Sequence, residues 1–232
     1  MDNGLDELLF ALRYIHFLAG ITWIGMLYYF NFVQTPFFAT DLGGTARGAM
    51  MRGLAPNALW WFRWGAMFTV LSGWAYLMIN ASQGAYNTSA LTMILTGGLM
   101  GSIMWFNVWF VIWPAQKLGI ASAEAVAGGG QANPQAAARA PIAGRASRTN
   151  TLFSIPMLFF MASASHGQWL QNAEQPSTGP YWILALILMA AIEANIWLGT
   201  TATQKPLASV SGTIHVGLGV MVVLTAAAYC WL

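Results

Sequence analysis

His16 and His166 are the residues of this chain whose type and setting best suit chemistry. Both fall inside apolar segments, where an ionisable side chain marks a functional position by default. Two imidazoles on facing helices form the axial ligand set of one b-type haem, provided that small residues admit the porphyrin and a cation meets its propionates. Ala19 and Gly20 stand three and four residues after His16, and Ala162 and Ser163 four and three before His166. Each imidazole therefore shares a helix face with small side chains. Gly97 and Gly101 form a small-xxx-small pair in the third apolar segment, which suits either a haem wall or close helix packing. Arg13, one turn before His16, can bind a propionate or snorkel to the membrane surface. The histidines keep an alternative of their own, hydrogen bonding between helices without a metal. The single cysteine, Cys230, excludes a Cys-x-x-Cys-His attachment site, so the cofactor expected is one non-covalent haem b (heme b).

His215 and Glu193 form a second set. Counting about 1.5 Å per residue places both in the opposite half of the bilayer from His16 and His166, at nearly equal depth. They are expected to form a buried polar pair, read either as structural or as a proton-handling site. Trp105, Trp109 and Trp113 make an i, i+4, i+8 stripe, expected to serve packing.

The elements that must position these groups follow from composition. With 57% hydrophobic, 14% aromatic and only 7% charged residues, the chain is an all-α integral membrane protein rather than a soluble domain, and nothing in it resembles a nucleic-acid footprint. Apolar runs over 8–32, 62–80, 90–113, 151–170, 180–199 and 208–231 are each near the roughly 20 residues that cross a bilayer. They predict a single transmembrane domain over residues 1–232, a bundle of about six helices. Arg47, Arg52, Lys117, Arg139, Arg145, Arg148 and Lys205 fall in alternate connections and Arg63 just inside the second helix, whereas the other side carries Arg13 alone. The positive-inside rule then makes those connections cytoplasmic and puts both termini outside, in agreement with Asp2, Asp6, Glu7 and Glu174. No basic stretch precedes the first apolar run, so that helix is expected to be retained. Residues 115–150, rich in Ala and Gly, read as a flexible cytoplasmic loop. Residues 33–61 are compatible with a short interfacial helix, followed by an aromatic belt of Trp60, Trp61 and Trp64.

Several blocks carry a resemblance. Leu12-Arg13-Tyr14-Ile15-His16, Gly20-Ile21-Thr22-Trp23-Ile24-Gly25 and Tyr28-Tyr29-Phe30 resemble the first helix of the bacterial membrane-bound urate oxidase (urate hydroxylase) family. Trp60-Trp61-Phe62-Arg63-Trp64, Asn107-Val108-Trp109-Phe110-Val111-Ile112-Trp113-Pro114, Ser147-Arg148-Thr149-Asn150-Thr151 and Ser165-His166 continue the likeness in order, over most of residues 8–170. Gly65 stands where the family tends to carry an acidic residue. Family members commonly continue into a C-terminal c-type cytochrome with a Cys-x-x-Cys-His site, which this sequence lacks. The resemblance thus implies a bacterial inner-membrane protein whose electrons leave to a periplasmic c-type cytochrome or another redox subunit. The expected function is electron transfer through the haem, alone or within an oligomer or supercomplex. The alternatives are a urate oxidase-like oxidoreductase acting on a small heterocycle, and a haem-free structural subunit.

Overall fold

The computed structural model describes residues 3–171 and 175–232. Asp2 and Glu174, used above for orientation, lie outside them. Among the described residues every regular element is helical. α1 (Asn3–Tyr28) runs through a π-helical turn (Tyr29–Gln34) into α2 (Thr35–Phe38), and α3 (Asp41–Gly53) leads to α4 (Ala55–Ser82). α5 (Thr88–Phe106) passes through a second π-helical turn (Asn107–Ile112) into α6 (Trp113–Ala127). α7 (Pro134–His166), α8 (Thr178–Leu198), the short α9 (Thr201–Gln204) and α10 (Val210–Trp231) complete the chain.

Local chemistry sets these boundaries. The side chains of Thr40, Asn87, Asn133 and Ser209 accept from backbone N–H groups in the first turns of α3, α5, α7 and α10. Pro134 opens α7, where its missing N–H has no intrahelical partner to lose. The α4–α5 and α6–α7 turns each use a left-handed glycine, Gly84 at φ 69° and Gly129 at φ 82°.

Among the described residues four helical stretches are long and apolar enough to cross a membrane: Gly4–Phe38, Thr88–Ala127, Thr178–Leu198 and Val210–Trp231. α4 and α7 are also long, but Arg63, Asn80, Asn150, Pro156 and His166 lower their hydropathy, and α7 fills the middle of the bundle. It packs against α5, α10, α6 and α8, with Phe153 and Phe160 fully buried. Polarity is distributed inside-out for a globular protein. Asn107, Thr149, Asn150 and Thr151 are 0% exposed, while Phe10 is 72% and Leu198 82% exposed. That pattern fits a bundle whose outer surface meets lipid and whose interior carries its hydrogen-bonding groups.

Residues 115–150 are not the loop expected from their composition. α6 and α7 leave only residues 128–133 between helices. Alanine is the strongest helix former, and a small-residue run needs no apolar periodicity when Ala143 and Ala146 can be buried by close approach. The helix expected within 33–61 is present as α3, capped by Thr40.

One end of the bundle is tied by long-range bonds. Arg13 donates to the Tyr76 hydroxyl, Asn87 Nδ2 to Gln171 Oε1 at 3.2 Å, Ser89 Oγ to Leu232 O at 2.6 Å, and Ser177 N to Trp231 O at 2.8 Å. The start of α1, the α4–α5 turn, the end of α7, the start of α8 and the end of α10 therefore gather together. His16 and His166 lie at this end.

Candidate functional site

α1, α4, α5 and α7 enclose a cavity of about 520 Å³ at the tied end, within the ~300–1,000 Å³ range of small-molecule and cofactor sites. His16 from α1 and His166 from the last turn of α7 both line it, with Arg13, Gly101, Trp23, Tyr76 and Tyr86. The structure thus brings together four of the residues singled out in the sequence: Arg13, His16, Gly101 and His166. Gly20 and Gly97 are outside the lining. A Cβ on Gly20 would meet Thr69 Cγ2 at 3.7 Å, and one on Gly97 would meet Met157 O and Met161 Cγ at 3.1 Å. Both seat helices against each other, which is the packing alternative for a small residue.

His16 is held by α4 in a defined way. Its Nδ1 lies 2.8 Å from the Thr69 carbonyl oxygen, which can only accept, so Nδ1 carries the hydrogen and Nε2 is the basic nitrogen. A backbone carbonyl on the second ring nitrogen is the usual device for orienting a metal-binding imidazole. Gly73 permits this placement, since a Cβ there would stand 2.7 Å from His16 Cε1 and 2.8 Å from Nδ1. The opposite wall is equally bare. Gly101 has nothing within 4 Å of its missing Cβ, and Gly98 has only Trp74 Cζ2 at 3.8 Å. Trp74 is itself fixed by donating Nε1 to Ser102 Oγ at 3.0 Å.

At the mouth, the Arg13 guanidinium lies over the Tyr76 ring, 4.8 Å from its centroid, and donates to the Tyr76 hydroxyl. Tyr86, in the turn after α4, has its phenol pushed above the ordinary value by burial, an effect the Arg13 charge opposes. At the inner end Trp23 is 1% exposed, and its indole N–H is buried with no partner among the described residues. Two imidazoles, a guanidinium with two phenols at the rim, and walls cleared by Gly73, Gly98 and Gly101 fit a flat, carboxylate-bearing tetrapyrrole. Sequence reading missed Gly73, Trp74, Tyr76 and Tyr86. The aromatics resemble ordinary belt residues, and Gly73 shows its role only once α1 and α4 are paired.

The second expected set is rearranged. Glu193 and His215 do not pair: Glu193 Oε2 accepts from Asn107 Nδ2 at 3.0 Å, while His215 is exposed on α10 and bonded through Nδ1 to Ser211 of its own helix. Equal depth along two helices says nothing about the direction in which each side chain points, and here the two diverge. Gly65, the departure from the family pattern, is buried where α1 and α4 touch. A Cβ there would stand 3.1 Å from Trp23 N and 3.3 Å from Ala19 O, so this crossing has no room for a carboxylate. The tryptophan stripe ties the π turn and the start of α6 to the start of α4: Trp109 donates to Arg63 O at 3.2 Å, and Arg63 lies 3.8 Å over Trp113.

Together these features define a helical protein with membrane-length apolar segments and a histidine-lined cavity that opens at the surface beside Arg13 and the exposed His166. Residues 81–228 match the urate oxidase N-terminal family, well over half of the chain, and the chain belongs to that family. The matched stretch includes the blocks at 107–114 and 147–151 and His166. It begins after α1, so His16 lies outside it. No curated protein and no solved structure matches the chain.

Proposed function

We propose that the protein is a multi-pass protein of the bacterial inner membrane, crossing it six times with both termini outside, that holds one haem b non-covalently and passes electrons, alone or as a subunit of a larger redox complex. His16 and His166 would be the axial ligands and Arg13 a propionate partner. The observation that carries this reading is the single cavity onto which all three side chains open, with glycine on the walls between them. When bound, the haem supplies a one-electron redox couple. The chain's own residues orient the His16 ring through Thr69, exclude water with Trp23, Trp74 and Met157, and place positive charge at the mouth. Electrons would leave to a periplasmic c-type cytochrome or another redox subunit at the Arg13 end.

The test is a dithionite-reduced minus air-oxidised absorption spectrum of the purified protein, repeated on His16→Ala and His166→Ala. Sharp low-spin b-type bands, absent from both variants, are expected. A folded wild-type preparation without those bands overturns the reading and leaves a structural subunit.

Family membership favours a second reading, an oxidoreductase acting on urate or a related small heterocycle. Reduction of the bound haem on adding urate would support it, and no reduction by any of a panel of purines would reject it.

A further inference from the structure

Far from the cavity, the π-helical turn after α5 builds a second polar site. Asn107 opens that turn and is 0% exposed. Its Nδ2 donates to Asn150 Oδ1 and to Glu193 Oε2, both at 3.0 Å, which uses both amide hydrogens. Asn150 is fixed in turn, its Nδ2 donating to Met104 O at 2.9 Å. Asn107 Oδ1 is buried without a partner among the described residues. Turning the Asn107 amide over does not help, because it would set Oδ1 against two further acceptors, Asn150 Oδ1 and the carboxylate. The network lacks one donor, and a buried acceptor without one is costly.

We propose that Glu193 is a reversible proton-binding site that rests as a neutral carboxylic acid paired with the Asn107 side chain. An ionised carboxylate only accepts, whereas a protonated one also has an O–H to donate. That O–H goes to Asn107 Oδ1 while the other carboxyl oxygen accepts the Asn107 N–H already in place, a two-bond acid–amide pair that completes the network. The step is a simple protonation, in which one O–H bond forms at Glu193 and the proton comes from water.

Among the described residues no cation is paired with Glu193. On α7, Arg145 donates Nε to Ile196 O at 2.8 Å, at the end of α8, and Arg148 reaches toward Asn31 O at 3.4 Å. His215 on α10 is bonded to Ser211, and α5 and the π turn carry no charged residue. An unpaired charge among apolar helices is disfavoured against its neutral form. Glu193 is half-buried and lies one turn and a half from the end of α8, on the side of the bundle that carries Arg145 and Lys205, which is where the proton would enter. Asn150 and His166 are sixteen residues apart on α7, roughly 24 Å at the α-helical rise. The site shares no residue with the cavity, and its test does not depend on haem.

The full chain in detergent is treated with N,N′-dicyclohexylcarbodiimide, which modifies protonated carboxyl groups in apolar surroundings, and the modified residues are mapped by mass spectrometry over a pH series. Labelling of Glu193 at neutral pH is expected, with its loss as pH rises, while Asp6, Asp41 and Glu124 stay unlabelled. Infrared spectra should show a carboxylic acid C=O band at neutral pH that disappears reversibly in alkali, is missing in Glu193→Gln and shifts in Asn107→Leu. An unlabelled Glu193 with no acid band at neutral pH overturns the proposal, as does a band that alkali leaves unchanged while the protein stays folded. The wild-type labelling decides the matter even where a variant does not assemble.

Discussion

The orientation of His16 depends on an atom that α4 does not have. Gly73 leaves the space in which the imidazole lies, and the Thr69 carbonyl fixes its Nδ1 hydrogen. Gly73→Ala puts a methyl group 2.7 Å from Cε1 and must turn the ring away from Thr69. Expected outcomes are a loss or broadening of the low-spin bands and a destabilisation of about 1–3 kcal/mol, as for overpacked sites. Gly25→Ala, with nothing within 4 Å, is the control that leaves both unchanged in the same spectra and melts. Gly101→Leu separates filling from packing. The leucine projects into the cavity wall, so the protein should assemble at normal yield and lose its haem bands. The histidines were legible in the sequence because an imidazole in an apolar run has few ordinary reasons to be there. Tyr76 and Tyr86 were not, because a phenol near a helix end is common, and only the pairing of α1 with α4 brings Tyr76 beneath Arg13.

Between α7 and α10, a proline and a glycine act as a pair. Pro156 has no N–H, which leaves the Leu152 carbonyl without its usual helical donor. Gly217 passes over that carbonyl, and a Cβ there would stand 2.8 Å from Leu152 O and 2.7 Å from Ile155 Cδ1. Gly217→Val should therefore part α10 from α7 and lower the unfolding temperature in detergent, with a cost of about 1–3 kcal/mol. Gly219→Val, on the same helix with open space at its Cβ, should not move it. Helices were easier to read from the sequence than their boundaries. The run 115–150 reads as a loop because helices rich in Ala and Gly show no apolar stripe, although the end of α6 is marked by Gly129 and the start of α7 by Asn133 before Pro134. The Glu193–His215 pairing failed for a related reason. Depth follows from counting residues, whereas azimuth depends on crossing angles and on a π turn that counting does not reveal.

Across the whole molecule, the cavity and the Glu193 cluster sit toward opposite ends of one bundle, with α7 reaching both. If haem binds only the folded bundle, then haem at about 100 times its Kd should stabilise it by about 2.7 kcal/mol through mass action. The check is thermal unfolding with and without added haem. The wild type should shift upward, and the His16→Ala, His166→Ala double variant should not.

The π turn at Asn107–Ile112 amounts to one residue more than an α-helix needs to cover the same path. Everything on the far side of it is rotated relative to α5 as if the helix had been rekeyed partway along. Deleting one residue between Phe110 and Ile112 would let α5 continue into α6 as an uninterrupted α-helix. The cavity wall at Gly98 and Gly101 would keep its facing, while Trp113 and its contact with Arg63 would swing to a new bearing. The length of the chain in this turn, rather than the identity of any side chain, thus sets how α6 is phased against α5.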